Sequence, residues 1–215
     1  MEASLATCIL AALLAMGACL QYEVCFGLGT SCTGDLEACA AGEDSCGIAV
    51  TASTVRIKTQ SILKGCMPSS QCKASPFSVN FGTGMRTQTS FACCLGDARR
   101  TATVTVPPAD PKPNGRSCPA SFAGFADQCS EKTIQCTGDE TRCVDMVETL
   151  TTGGNPVQMA MKGCASKSVC GQLKVGSSTF AGISASQTRA KCTAASGAAD
   201  GAPGPGELLL LQLLS

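Results

Sequence analysis

Apolar residues cluster along this 215-residue chain in two ways: continuous runs near the two ends and, between them, short alternating stretches broken by Gly, Ser, Thr and Cys. The first run, Leu5 to Leu14, is too short to span a bilayer and is followed by the small residues Gly17, Ala18 and Cys19. That order predicts a signal peptide over residues 1–19, with a weak amino end that carries Glu2 and no Lys or Arg. The last run, Leu208 to Leu211 with Leu213 and Leu214, follows an Ala/Gly/Pro spacer. A lipid-anchor signal has this layout with a longer apolar tail of roughly 10–20 residues. Residues 194–215 are therefore expected to be a spacer and a truncated or degenerate anchor signal.

Between the ends the apolar period is two, the mark of half-buried strands. Ile48 to Ile62 is rich in Thr, Val and Ile and alternates in part, as in Thr54-Val55-Arg56-Ile57-Lys58. Phe77-Ser78-Val79-Asn80-Phe81 alternates up to a Gly82-Thr83-Gly84 turn, and Met85 to Phe91 leads back, which predicts a β-hairpin. In the second half, Val144 to Leu150 and Val157 to Met161 flank Thr152-Gly153-Gly154-Asn155 in the same manner. Long hairpins on a common base are the expected architecture.

The cysteines repeat. Cys32, Cys39 and Cys46 match Cys129, Cys136 and Cys143 at an offset of 97. Cys66 and Cys72 match Cys164 and Cys170 at 98, and Cys93 matches Cys192 at 99. Lys64-Gly65-Cys66 to Cys72 is echoed by Lys162-Gly163-Cys164 to Cys170. Self-similarity of this kind predicts one disulfide module used twice. The stretch Val106 to Gly115 between the copies holds four prolines in ten residues, so a stiff, extended linker is expected there. Cys25, Cys32, Cys39 and Cys46 recur every seven residues, but the Gly and Thr residues among them favour turns over a helix. Their spacing also departs from the close ligand pairs of structural zinc sites.

Composition narrows the function. The chain has 17 Cys, no His and no Trp, and 16 basic residues against 16 acidic ones. Without His it lacks the commonest general base and metal-ligating nitrogen, and no Gly-rich phosphate loop opens a helix. No catalytic or metal site and no cofactor are expected, and acidic pairs such as Asp139-Glu140 read as solvated turns. Balanced charge argues against nucleic acid, which selects basic surfaces.

The cysteine spacing, the Cys93-Cys94-Leu95-Gly96-Asp97 segment and the two-fold repeat resemble the three-finger superfamily of the urokinase receptor and Ly6 proteins. Cys25-Phe26-Gly27, Phe91-Ala92-Cys93-Cys94, Lys112-Pro113-Asn114-Gly115, Met161-Lys162-Gly163-Cys164 and Arg189-Ala190-Lys191-Cys192-Thr193 are most similar to the gamma-type phospholipase A2 inhibitors. The resemblance implies an all-β, disulfide-rich fold of two tandem three-finger domains. These are expected at 20–106 and 118–193, joined by a linker at 107–117. It implies the bridges Cys25–Cys32, Cys39–Cys66 and Cys72–Cys93, then Cys118–Cys143, Cys136–Cys164 and Cys170–Cys192. Tyr22, Ser121 and Arg99 stand where the family pattern has further cysteines, which leaves Cys46, Cys94 and Cys129 as candidates for unpaired thiols. Cys19, if retained, is an alternative partner for Cys46.

The function implied is a secreted, non-enzymatic protein that inhibits a secreted phospholipase A2 by steric occlusion, alone or as a homo- or hetero-oligomer. The alternative is a lipid-anchored receptor or adhesion protein of the same fold, with membrane association only through the C-terminal tail. Phe77, Phe81 and Met85 are candidate anchors at finger tips, with packing of their own hairpin the competing assignment. Pro107 and Pro108 of the linker are candidate partner contacts, with a plain spacer as the alternative.

Overall fold

The computed structural model describes residues 20–55, 57–73, 76–93, 104–124, 130–180 and 183–197. The amino-terminal module contains strands β1 (Gln21–Leu28), β2 (Asp35–Ala38), β3 (Ser45–Ser53), β4 (Thr59–Met67), β5 (Phe77–Gly82) and β6 (Met85–Cys93). A 3-10 turn at Ser69–Lys73 separates β4 from β5. The second module repeats the plan with β7 (Pro113–Gly124), β8 (Lys132–Thr137), β9 (Glu140–Thr152), β10 (Asn155–Ser166), β11 (Gly176–Phe180) and β12 (Ile183–Ala194). A short helix α1 (Lys167–Gln172) replaces the 3-10 turn, and β13 (Ser196–Gly197) closes the described chain. Each module is thus three successive antiparallel pairs, or fingers, on a disulfide-bonded base: the fold is all-β and disulfide-rich, two three-finger domains in tandem.

The alternating stretch Ile48 to Ile62 divides into β3 and β4 around a turn at Thr54 to Lys58. Its even-numbered residues Ile48, Val50 and Ile62 form one small core, covered by Cys32, Val104 and Val106. In the second module β9 and β10 pair from Thr152 opposite Asn155 down to the base. Gly153 (φ 55°) and Gly154 (φ 83°) both occupy the left-handed region that a two-residue primed turn demands. Disulfides tie corresponding places in the two copies. Cys39–Cys66 and Cys136–Cys164 join the end of the first finger to the second, while Cys72–Cys93 and Cys170–Cys192 join the turn or helix to the last strand. The first bridges differ: Cys25–Cys32 closes the tip of a finger, whereas Cys118–Cys143 links β7 to β9.

The modules share one sheet. The strand order β11-β12-β9-β10-β5-β6-β3-β4-β1-β2 runs across both, with β7, β8 and β13 attached beside β10. β10 is long enough to hold β7 along Met159–Lys162 and β5 at Cys164 and Ala165, where Asn80 and Val79 lie opposite. Gly163 permits this approach, because a Cβ there would stand 2.1 Å from the Asn80 carbonyl oxygen. The largest core forms at this seam from Val79 and Phe81 of one module and Val144, Met146, Met161, Ala165 and Val169 of the other.

Polar contacts reinforce the seam. The Ser78 N–H donates to the buried Ser166 hydroxyl at 3.0 Å. Arg86 pairs with Glu140 at 3.0 Å and donates to the Thr137 hydroxyl at 2.6 Å. Glu140, expected from sequence in a solvated turn, is 1% exposed: the turn is at Gly138-Asp139, and Glu140 points inward to meet Arg86.

Two expected boundaries fall inside strands. β7 begins at Pro113, within the proline-rich stretch 107–117, and pairs with β8. Ser196–Gly197, assigned to the spacer, pairs with Arg116 and Ser117, while buried Ala195 caps a core of Cys118, Cys136 and Cys164.

Candidate functional site

The segment Val104 to Lys112 crosses one face of the amino-terminal sheet as a strap. Val104 and Val106 enter the core with Ile48, Val50 and Ile62, anchoring one end. At the other end the Lys112 carbonyl accepts from the Gly138 N–H at 2.9 Å, and Asp110 Oδ1 accepts from the Lys112 N–H at 2.9 Å. Midway, the Gln88 side-chain amide donates to the Pro107 carbonyl at 3.3 Å. Pro107 and Pro108 are thereby held extended and exposed on a supported backbone. A proline-rich strap already ordered in this way loses little conformational freedom on binding.

Clefts open on both sides of the strap. One, of about 320 Å³, lies toward the second module and is bounded by Phe77, Arg86, Ser90, Pro107 and Asp139. The other, of about 680 Å³, lies toward the finger tips and is bounded by Thr54, Lys58, Gln60, Gln88 and Pro108. Ser90 is buried, and its hydroxyl has no hydrogen-bond partner among the described residues. Gln60 and Gln88 place neutral amides beside an apolar ridge. This chemistry suits recognition of a polypeptide surface; Arg86 is already committed to Glu140 and Thr137.

The other candidate anchors are not free at a finger tip: Phe81 and Met85 flank the turn at Thr83 and Gly84 but pack inward. Phe81 is 5% exposed and packs on Phe122 of the second module, with ring centroids 5.5 Å apart. Phe77 lies 5.7 Å from the Phe91 ring, and both Phe77 and Met85 pack against the seam core. These residues do form a hairpin whose apolar face packs on the second module, and Phe77 also borders the smaller cleft.

All twelve cysteines of the family-type bridges are disulfide-bonded in the structure, in the pairs given above. Cys46 needs correction. Placed among the unpaired candidates, it is instead disulfide-bonded, and it lies 5% exposed on β3 opposite Cys66. A buried base position of this kind keeps a sulfur out of solvent. Cys94 and Cys129, together with the expected signal peptide at 1–19 and the tail beyond Gly197, lie outside the described residues. The sulfurs of Cys118, Cys136 and Cys164 approach within 4.8 Å of one another, yet all three are consumed by bridges to Cys143 and to each other. Disulfide sulfur lacks the thiolate charge that holds a metal.

Ionisable groups act locally. The Lys64 ammonium donates to Glu23 at 2.7 Å and, with the Gly34 N–H at 3.2 Å, holds the Glu23 carboxyl below its usual range against partial burial. Asp44 is likewise lowered, by the Ser69 N–H and hydroxyl at 2.6 and 2.7 Å. Glu148 moves the other way: burial raises it, with the Gln187 amide opposing. The Lys162 ammonium is raised by its bond to Glu131. None of these groups forms an acid–base pair facing a cleft beside the strap. Gln88 and Ser90 were missed from sequence, since their polar positions in a Thr- and Ser-rich strand carry no mark of their own.

The geometry thus presents an exposed, supported ridge between two clefts on a cystine-bonded body, and comparison with known proteins gives it a context. Residues 20–101 match the family model described as Phospholipase A2 inhibitor. The chain is 28% identical over 200 residues to a phospholipase A2 inhibitor gamma subunit of Gloydius brevicaudus siniticus, covering 90% of this chain and 96% of the relative. It is 32% identical over 173 residues to phospholipase A2 inhibitor NAI of Notechis ater, covering 78% and 84%. The chain belongs to the phospholipase A2 inhibitor family. Membership extends through both modules, because the aligned length far exceeds one of them. The chain is also similar to the solved structure of mouse TEX101, at 16% identity over 81% of this chain and 99% of that one, with a TM-score of 0.35.

Proposed function

We propose that this chain is secreted and inhibits a secreted phospholipase A2 by occluding it, without chemistry of its own. The observation that carries the reading is similarity along nearly the whole chain to proteins named as phospholipase A2 inhibitors. The absence of His from the sequence and the use of twelve cysteines in bridges favour binding over catalysis.

The strap is the contact surface in this reading. Pro107 and Pro108 stand exposed between two clefts, on a backbone fixed at Val106 and Lys112, so a partner meets a preformed ridge. Burying that ridge against the enzyme face that admits substrate blocks access sterically. Association with a related chain belongs to the same reading, since one relative is named as a gamma subunit.

The test is binding of the mature chain to a panel of secreted phospholipases A2 by surface plasmon resonance. Saturable binding to at least one enzyme, weakened by Pro107→Asp/Pro108→Asp without loss of thermal stability, supports the reading. Saturable binding that the double variant leaves unchanged removes the strap from it, and no saturable binding to any enzyme removes the reading itself.

A further inference from the structure

The two most exposed large apolar side chains among the described residues are Leu28 (75%) and Ile57 (70%), and they belong to neighbouring finger tips. Leu28 ends β1 and lies opposite Ser61 of β4. The next residue, Gly29, donates its N–H to the Gln60 carbonyl at 2.7 Å, joining the first finger to the second close to its turn. Ile57 occupies that turn, where its N–H donates to Val55. Val55 packs inward on the seam core, so Ile57 is the apolar residue the turn sends to solvent. Phe26, half exposed and two residues before Leu28, extends the apolar surface down the same face of β1.

The third finger of this module does not share that surface. Its turn is pinned, with the Thr54 hydroxyl donating to the Gly84 carbonyl at 2.6 Å and Gly82 seated against Ile134 of the second module.

Charge at the free tips has one sign. Residues 26–34 carry no ionisable acid or base, and residues 51–63 carry Arg56 and Lys58 with no acid. The acids nearest to these segments along the chain are Glu23, bonded to Lys64, Asp35 at the start of β2, and Asp44, bonded to Ser69. Apolar side chains on separate turns, set among Gly, Ser, Thr and the exposed Lys58, do not form the groove that would hold a peptide or helix. Such an array suits a plane into which each side chain dips a short way while the Lys58 ammonium meets negative headgroups.

We propose that the tips of the first and second fingers, through Leu28, Ile57, Phe26 and Lys58, adsorb to anionic phospholipid interfaces. This goes beyond enzyme inhibition and does not depend on it: the chain itself is taken to the surface on which a lipid-hydrolysing enzyme works.

The experiment is sedimentation of the mature full chain with vesicles, without enzyme. Vesicles of phosphatidylcholine containing about 30 mol % phosphatidylserine are expected to bind it, pure phosphatidylcholine to bind it far less, and added salt to release it. Lys58→Glu and the pair Leu28→Ser/Ile57→Ser are each expected to lower partitioning by about tenfold or more. Both variants should keep the wild-type melting temperature, because the altered side chains are exposed; circular dichroism establishes that before the vesicle assay is read. Absence of wild-type binding to the anionic vesicles overturns the proposal, as does binding unchanged in both variants. Tip variants that lose enzyme binding in solution, with no vesicle binding by the wild type, overturn it in favour of a protein-docking tip. Vesicle binding without any enzyme binding leaves this proposal standing and removes the proposed function.

Discussion

Replacing Arg86 with Met isolates the strongest polar contact between the modules. Arg86 Nη2 lies 3.0 Å from Glu140 Oε1, and the Glu140 side chain is 1% exposed. Its other oxygen is held by the Thr137 N–H at 2.9 Å and the Asn80 amide at 3.3 Å. Removing the guanidinium leaves a desolvated carboxylate with only neutral donors, the Thr137 N–H and hydroxyl and the Asn80 amide, on one oxygen and no cation on the other. Breaking a buried pair in this way costs about 3–5 kcal/mol, mainly as the penalty for the orphaned charge. In a chain of this size about 1 kcal/mol moves Tm by about 2–4 °C, so a fall of roughly 6–20 °C is expected. Arg86→Met/Glu140→Met removes both charges and is expected to recover most of that loss. Differential scanning calorimetry with disulfides intact reads the effect and also shows whether the modules melt together, as a shared sheet and core require. An Arg86→Met protein that melts within about 1 °C of wild type would refute the reasoning. So would a double variant no better than the single one.

Further outcomes follow from the same structure. Gly163→Ala places a Cβ 2.1 Å from the Asn80 carbonyl oxygen, so β5 and β10 must part; a loss of about 1–3 kcal/mol in urea unfolding is expected. The Glu148 carboxyl titrates above the ordinary glutamate range, so its protonated form supports the fold at low pH and that support is lost as pH rises through the folded pKa. Glu148→Gln should therefore lessen the decline and stabilise the protein at neutral pH, as thermal melts across pH will show. Glu23 has the opposite sign: its contribution is present above the ordinary glutamate range and is lost as pH falls through its lowered pKa. Lys64→Met should bring its NMR titration back toward the ordinary value. Cys46 should resist alkylation in the native, non-reduced protein, and peptide mapping that recovers it modified would contradict its assignment.

The fold class was legible because cysteine spacing and strand alternation are local signals, and the repeat states them twice. The alternation of Phe77, Val79 and Phe81 marked one apolar face correctly. What covers that face was not legible, since β5 meets β10 through residues more than eighty positions apart. Glu140 looked solvated for the same reason: its environment is supplied by Arg86 and Asn80 of the other module. The strap shows a third limit. Four prolines predict an extended chain, but the attachment of Val106 to the core and of Lys112 to the Gly138 turn depends on tertiary packing. Cys46 was judged against a family pattern, which records what is usual at a position and not the bond this chain makes there.

Inhibition by occlusion is tested most directly by titrating a secreted phospholipase A2 with the mature chain while recording binding and hydrolysis of a soluble, monodisperse substrate together. Such a substrate excludes competition for a lipid surface as the cause. The expected result is activity that falls in step with the saturable binding isotherm and recovers when the complex is diluted apart. Binding with hydrolysis undiminished would contradict occlusion, and no saturable binding to any secreted phospholipase A2 would contradict the inhibitory function altogether.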